Sequence, residues 1–173
     1  MKDDSGVMAR PVDVASLART QGDALVRFAY VVCGDADLAQ DLVQGSLLSM
    51  LERPTASIED PLGYARRAIV NRFVDERRRL DRRKAMLGRL GQITSPQSVS
   101  AADLSDRDLM RSALEELNGR ERAAIVLRYY ADMDDDAIAA WLHCRPTTVR
   151  SLLSRGRAKL KEQFTNNPHG GTE

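Results

Sequence analysis

Residues 134–164 read DDDAIAAWLHCRPTTVRSLLSRGRAKLKEQF. The spacing predicts a short helix from Asp135 to Leu142, apolar at Ile138, Trp141 and Leu142. A bend follows at His143-Cys144-Arg145. The second helix opens at Pro146, which suits a first helical position because its missing N–H would be unpaired there anyway. Val149, Leu152, Leu153 and Leu160 then recur at helical spacing and mark a buried stripe. The other face carries Thr147, Arg150, Ser151, Ser154, Arg155, Arg157 and Lys159. Two helices, a tight bend and a Thr/Ser/Arg face form the pattern of a helix-turn-helix whose second helix enters a DNA major groove. Such side chains donate to phosphates and to guanine edges. The plainer alternative is an amphipathic helix with a solvated basic face.

Outward from this stretch, the charge is divided along the chain. The net charge of +1 over 173 residues conceals it. Residues 1–63 hold five basic against ten acidic side chains, residues 64–84 nine against three, and residues 143–163 six against one. Two basic blocks on separate predicted helices suggest two contacts with a polyanion. The acidic first third must face something else.

Residues 1–14 are polar and contain Pro11, so a loose segment is expected. Leu17, Leu25, Phe28, Ala29 and Val32 suit a helix over Ser16–Val32, broken at Gly34-Asp35. A second helix, Asp37–Leu51, is apolar at Leu38, Leu42, Val43, Leu47, Leu48 and Leu51 and polar at Asp37, Gln40, Asp41 and Gln44. Residues 53–60 (RPTASIED) read as loop. Asp60 caps and Pro61 opens a third helix to about Arg83, with Leu62, Ala65, Ile69, Phe73 and Leu80 as its buried stripe. Residues 88–105, rich in Gly, Ser and Pro, read as a linker. The second domain opens near Asp106 with a helix through Leu109, Leu114 and Leu117. Asn118, with Glu121 three positions on, is a capping-box variant that starts a helix through Tyr130. The chain carries no strand-like alternation. The expected fold is all-α: helical domains at 15–87 and 106–164, a linker at 88–105 and a frayed tail at 165–173.

Some functions are disfavoured. No apolar run approaches the roughly 20 residues that span a bilayer. The first residues lack a signal-peptide core, so a cytoplasmic protein without membrane insertion is expected. Cys33 and Cys144 lie in no metal-ligand or disulfide pattern and are expected to pack as small hydrophobes. The acids at 134–136 suit a helix N-terminus better than a metal site. Trp141 is expected in the core, and Tyr129-Tyr130 half-buried. With no His/Asp/Glu constellation or phosphate-binding Gly loop, no catalytic residue, metal or cofactor is expected. A nucleic-acid enzyme is the weakest of three functional classes. The other two are a polymerase-dependent initiation factor and a regulator that binds promoters by itself.

The stretches AYVVCGDADLAQDLVQGSLLSML and DPLGYARRAIVNRFVDERRR in the first domain, and LEELNGRERAAIVLRYYADM and TTVRSLLSRGRAKLKE in the second, carry a resemblance. In order and spacing they resemble a group IV, or extracytoplasmic-function, bacterial sigma factor, over about Leu17 to Lys161. The resemblance implies a dissociable subunit that binds core RNA polymerase and directs promoter-specific initiation. It implies that Asp37, Gln40, Asp41 and Gln44 dock on the β′ clamp coiled coil, and that the second domain meets the β flap. The loop at 53–60 and the helix after it correspond to the part that opens and reads the −10 element, where a flipped base would sit. Arg66, Arg67, Asn71, Arg72 and Arg77 would hold −10 DNA. Arg145, Thr147, Thr148, Arg150, Ser151, Arg155 and Arg157 would contact the −35 element. The linker would run through the RNA exit path, and an anti-sigma protein would hold the factor inactive. Here Asn118 replaces the usual proline, 134–137 replace Ser-x-x-Glu, Leu152 stands where many relatives carry Arg, and Arg145 stands where a small residue is frequent.

Overall fold

The structure, a computed structural model, describes residues 12–52, 58–89 and 106–166. The linker residues 90–105, loop residues 53–57 and the two chain ends fall outside the described residues. Within them there are seven helices and no strand: α1 Val14–Cys33, α2 Ala36–Leu51, α3 Pro61–Arg89, α4 Asp106–Glu115, α5 Gly119–Tyr129, α6 Asp135–Trp141 and α7 Pro146–Asn166. The chain divides into two compact units inside α3, between Arg72 and Phe73.

In the first unit α1 starts at an Asp13 cap, whose carboxylate accepts from Ser16 N at 2.9 Å. It ends where Gly34 takes φ 75°, the left-handed conformation that glycine adopts without a Cβ penalty. Asp35 then caps α2, accepting from Leu38 N at 2.7 Å. The core joins Leu25, Phe28, Ala29 and Val32 of α1 to Ala39, Leu42, Val43 and Met50 of α2 and Ala65, Ile69 and Val70 of α3. Burying each of the larger side chains contributes about 1.5–3 kcal/mol. Cys33 is buried, and its thiol donates to Asp35 O at 3.1 Å.

Three expectations change here. Leu48 and Leu51, read as part of the apolar face of α2, are exposed. Helical phase explains this: they continue the stripe of Asp41 and Gln44 rather than that of Leu42 and Val43. The third helix runs past Arg83 to Arg89, because Arg, Lys, Ala, Met and Leu favour helix even without an apolar stripe. Its buried residues include Val70 but leave Leu62 and Leu80 half-buried. Asp60 does cap it, accepting from Gly63 N at 2.9 Å.

In the second unit Asn118 forms the full capping box with Glu121. Ile125, Val126 and Leu127 of α5, Ile138 and Ala139 of α6, and Val149, Leu152 and Leu153 of α7 are buried together with Leu117 and Leu142. Arg122 is buried too, its guanidinium 5.8 Å from the centre of the Phe73 ring. Tyr129, the last residue of α5, and Tyr130, its C-cap, expected half-buried, are exposed. Trp141 is half-buried.

Candidate nucleic-acid interface

The bend is built by three hydrogen bonds and one unusual backbone angle. Asp134 caps α6 by accepting from Ala137 N at 2.7 Å. Leu142 ends the helix, and His143 takes φ 48°, an uncommon value for a residue with a Cβ. Cys144 N then donates back to Ala139 O at 3.0 Å. From α5, Arg120 Nη2 donates to Leu142 O at 2.8 Å and ties the bend to the helix beneath. Pro146 opens α7, as its position in the sequence requires.

This turn points α7 so that one side is covered and the other open. Val149, Leu152 and Leu153 are buried, while Arg145, Thr147, Arg150, Ser151, Ser154, Arg155 and Arg157 are exposed and Thr148 is half-buried. Leu152, which departs from the family pattern, belongs to the core and offers nothing to a partner.

Two of the open arginines are not free. Arg155 Nε lies 3.2 Å from Glu121 Oε1, and Lys159 Nζ lies 2.8 Å from Glu121 Oε2. The Glu121 side chain is only 2% exposed, and its carboxylate is held by those two cations and by the Asn118 N–H. Arg150 Nε lies 3.8 Å from Asp135 Oδ2, and Asp135 Oδ1 also holds Arg128 Nη2. Glu121 and Asp135 were not among the residues read from the sequence as part of the site. Their positions in a capping box and a helix start masked any link to the arginines.

The α3 residues divide. Arg66 turns inward: its guanidinium sits 5.7 Å from the Phe28 ring centre and its Nε is buried without a hydrogen-bond partner. Arg77 Nη2 donates to Glu115 O at 3.3 Å, with its Nε buried. Both fall on the helical phase of Ile69 and Phe73. Arg72 is exposed as a residue, but its guanidinium lies against α2, where a Cβ on Gly45 would come within 2.8 Å of its Nη1. Arg67 and Asn71 are half-buried on the opposite side. Arg78 and Arg82, members of the basic block at residues 64–84, are exposed and share the helical phase of Asn71.

On α2, Asp37, Gln40, Asp41 and Gln44 are all exposed. Their spacing puts them on one stripe, extended by Leu48 and Leu51.

The Sigma-70 region 2 family model matches residues 17–83, and the Sigma-70 region 4 model matches residues 107–160. RNA polymerase sigma-E factor of Streptomyces coelicolor is 30% identical over 160 residues, covering 91% of this chain and 89% of that protein. The chain belongs to the extracytoplasmic-function sigma factors. ECF RNA polymerase sigma factor SigL of Mycobacterium tuberculosis is 32% identical over 136 residues, covering 75% of this chain and 76% of that one. The fold matches that of the sigma factor RpoE from Bartonella quintana, solved in complex with the anti-sigma factor NepR. The TM-score is 0.63 at 22% identity, over 88% of this chain and 97% of that chain. This sigma factor is thus a promoter-recognising alternative subunit for transcription initiation by RNA polymerase. Among its described residues no helix is long and apolar enough to cross a membrane, and no group of three His, Cys, Asp or Glu is placed to hold a metal ion.

Proposed function

We propose that this sigma factor divides its work between residues 15–87 and residues 106–164. The first part docks on core polymerase through the exposed α2 stripe of Asp37, Gln40, Asp41 and Gln44, with Leu48 and Leu51 adding apolar area at its end. It holds −10 DNA through the outer face of α3, with Arg67 and Asn71 nearest the bases and Arg78 and Arg82 on phosphates, while Arg72 reaches the DNA from the side next to α2. Arg66 and Arg77 act from the inner side, fixing α3 in place. The second part enters the −35 major groove with α7. Arg150, Ser151 and Arg155 face base edges, while Arg145, Thr147, Thr148 and Arg157 reach the backbone. The factor works where the polymerase is, in the cytoplasm, and carries no catalytic site of its own. An anti-sigma protein, as in the Bartonella complex, is its expected antagonist.

The observation that carries this reading is α7 itself. Its Val149–Leu153 side is sealed into the core and its Thr/Ser/Arg side is open. The test is run-off transcription with sigma-free core polymerase on genomic promoter fragments. Added alone to core, the full chain yields transcripts from discrete start sites. If core gives the same products with and without it, the reading fails. DNA binding by the chain alone, with activation only of polymerase that already holds another sigma, would make it an activator instead.

A further inference from the structure

Asp135 has no capping duty, because Asp134 already supplies the α6 cap. Its carboxylate is instead split between two arginines of the other helices in the unit. Oδ1 takes Arg128 from the last turn of α5, and Oδ2 faces Arg150 Nε from α7 at 3.8 Å, an ion-pair separation rather than a hydrogen bond. Asp135 is about one-third exposed and Arg150 two-thirds, so the pair sits at the edge of the open α7 face. The neighbouring Arg155 is gripped in the same manner, by Nε on Glu121 Oε1.

A carboxylate at Nε has a specific consequence. It leaves the terminal Nη pair pointing away, and two parallel N–H donors match guanine O6 and N7. A negative charge at the base of the side chain also repels DNA phosphates, the strongest competing site for an unrestrained arginine. We propose that Asp135 is a positioning residue that sets base specificity: it aims Arg150 at a guanine in the −35 element and keeps it off the backbone. The proposal rests on α7 being the recognition helix.

The test is transcription by holoenzyme, assembled from full-length chain and core, on a promoter library randomised through the −35 region, with the transcripts sequenced. Wild type selects guanine at one position by about tenfold or more over other bases, the scale of one bidentate contact. Arg150→Ala abolishes that selection. Asp135→Asn lowers it to below threefold while holoenzyme retention on mixed DNA stays equal or rises, because a repulsive charge is gone. Asp135→Glu restores at least half of it. Base preference is a ratio within one sample, so a loss of folded protein does not move it. A merely structural Asp135 would lower output from all sequences alike and leave the preference intact, and that result overturns the proposal. If Arg150→Ala selects the same sequences as wild type, the recognition-helix reading falls, and this inference with it. If Arg150→Ala changes the selection but Asp135→Asn does not, only the inference falls.

Discussion

At the scale of single residues, exposure and pairing separate side chains that look alike in the sequence. Arg150 and Arg66 are both arginines in basic helices. One is open on α7, and the other has its guanidinium over Phe28 with a buried Nε. Arg150→Ala is therefore expected to weaken −35-dependent initiation by about 1–3 kcal/mol, or about 5- to 150-fold, with core binding unchanged. Promoter titration of mutant and wild-type holoenzyme measures this, and equal curves would remove Arg150 from the interface. Asp41 is exposed on an acid-and-amide stripe. Reversing its charge in Asp41→Arg should weaken retention of core polymerase about tenfold, as expected for a like-sign charge brought to a polar docking face. Unchanged retention in a pull-down would place the docking surface elsewhere.

Among elements, the tie between α5 and α7 decides how the recognition helix is held. Glu121 is buried in the capping box and faces both Arg155 and Lys159. Removing one cation leaves the other, whereas removing both leaves the buried carboxylate with no counter-charge and only the Asn118 N–H as donor. Arg155→Met and Lys159→Met should each cost little, while the double variant costs about 3 kcal/mol and exceeds the sum of the singles. Thermal or urea unfolding of the four proteins gives the coupling directly, and strict additivity would show that Glu121 does not depend on them. Arg155 therefore has a structural duty as well as its proposed DNA contact, so its loss cannot be read as a base contact alone. Asn118 illustrates a substitution that keeps the element. It replaces the proline of the family pattern yet accepts from both Arg120 N and Glu121 N, so α5 still starts at Gly119.

For the whole molecule, two basic helical faces imply a grip on DNA that depends on salt. Phosphate contacts act through counterion release, whereas base contacts act through geometry. Arg78→Ala and Arg82→Ala, on the outer phase of α3, should each lower the salt slope of holoenzyme binding to promoter by about 1 and leave base preference unaltered. A slope identical to wild type would show that the C-terminal half of α3 is a solvated charge run.

The sequence by itself determined that the chain is helical, where most helices begin, and which motifs place it among the sigma factors. These are local facts. Caps such as Asp35, Asp60 and Asn118, the proline at 146 and apolar spacing act within one or two turns, so a linear reading captures them. The α7 core stripe at Val149, Leu152 and Leu153 was legible for the same reason. The roles of Asp135 and Glu121 and the seat of the Arg66 guanidinium over Phe28 were decided only by tertiary structure. Each depends on what a second helix places within about 4 Å, the range over which an ion pair or an apolar contact acts. Residues such as Glu121 and Lys159, which share one ion pair at 2.8 Å, are 38 positions apart in the chain. Spacing along the chain carries no record of that distance; the packing of α7 on α5 creates it.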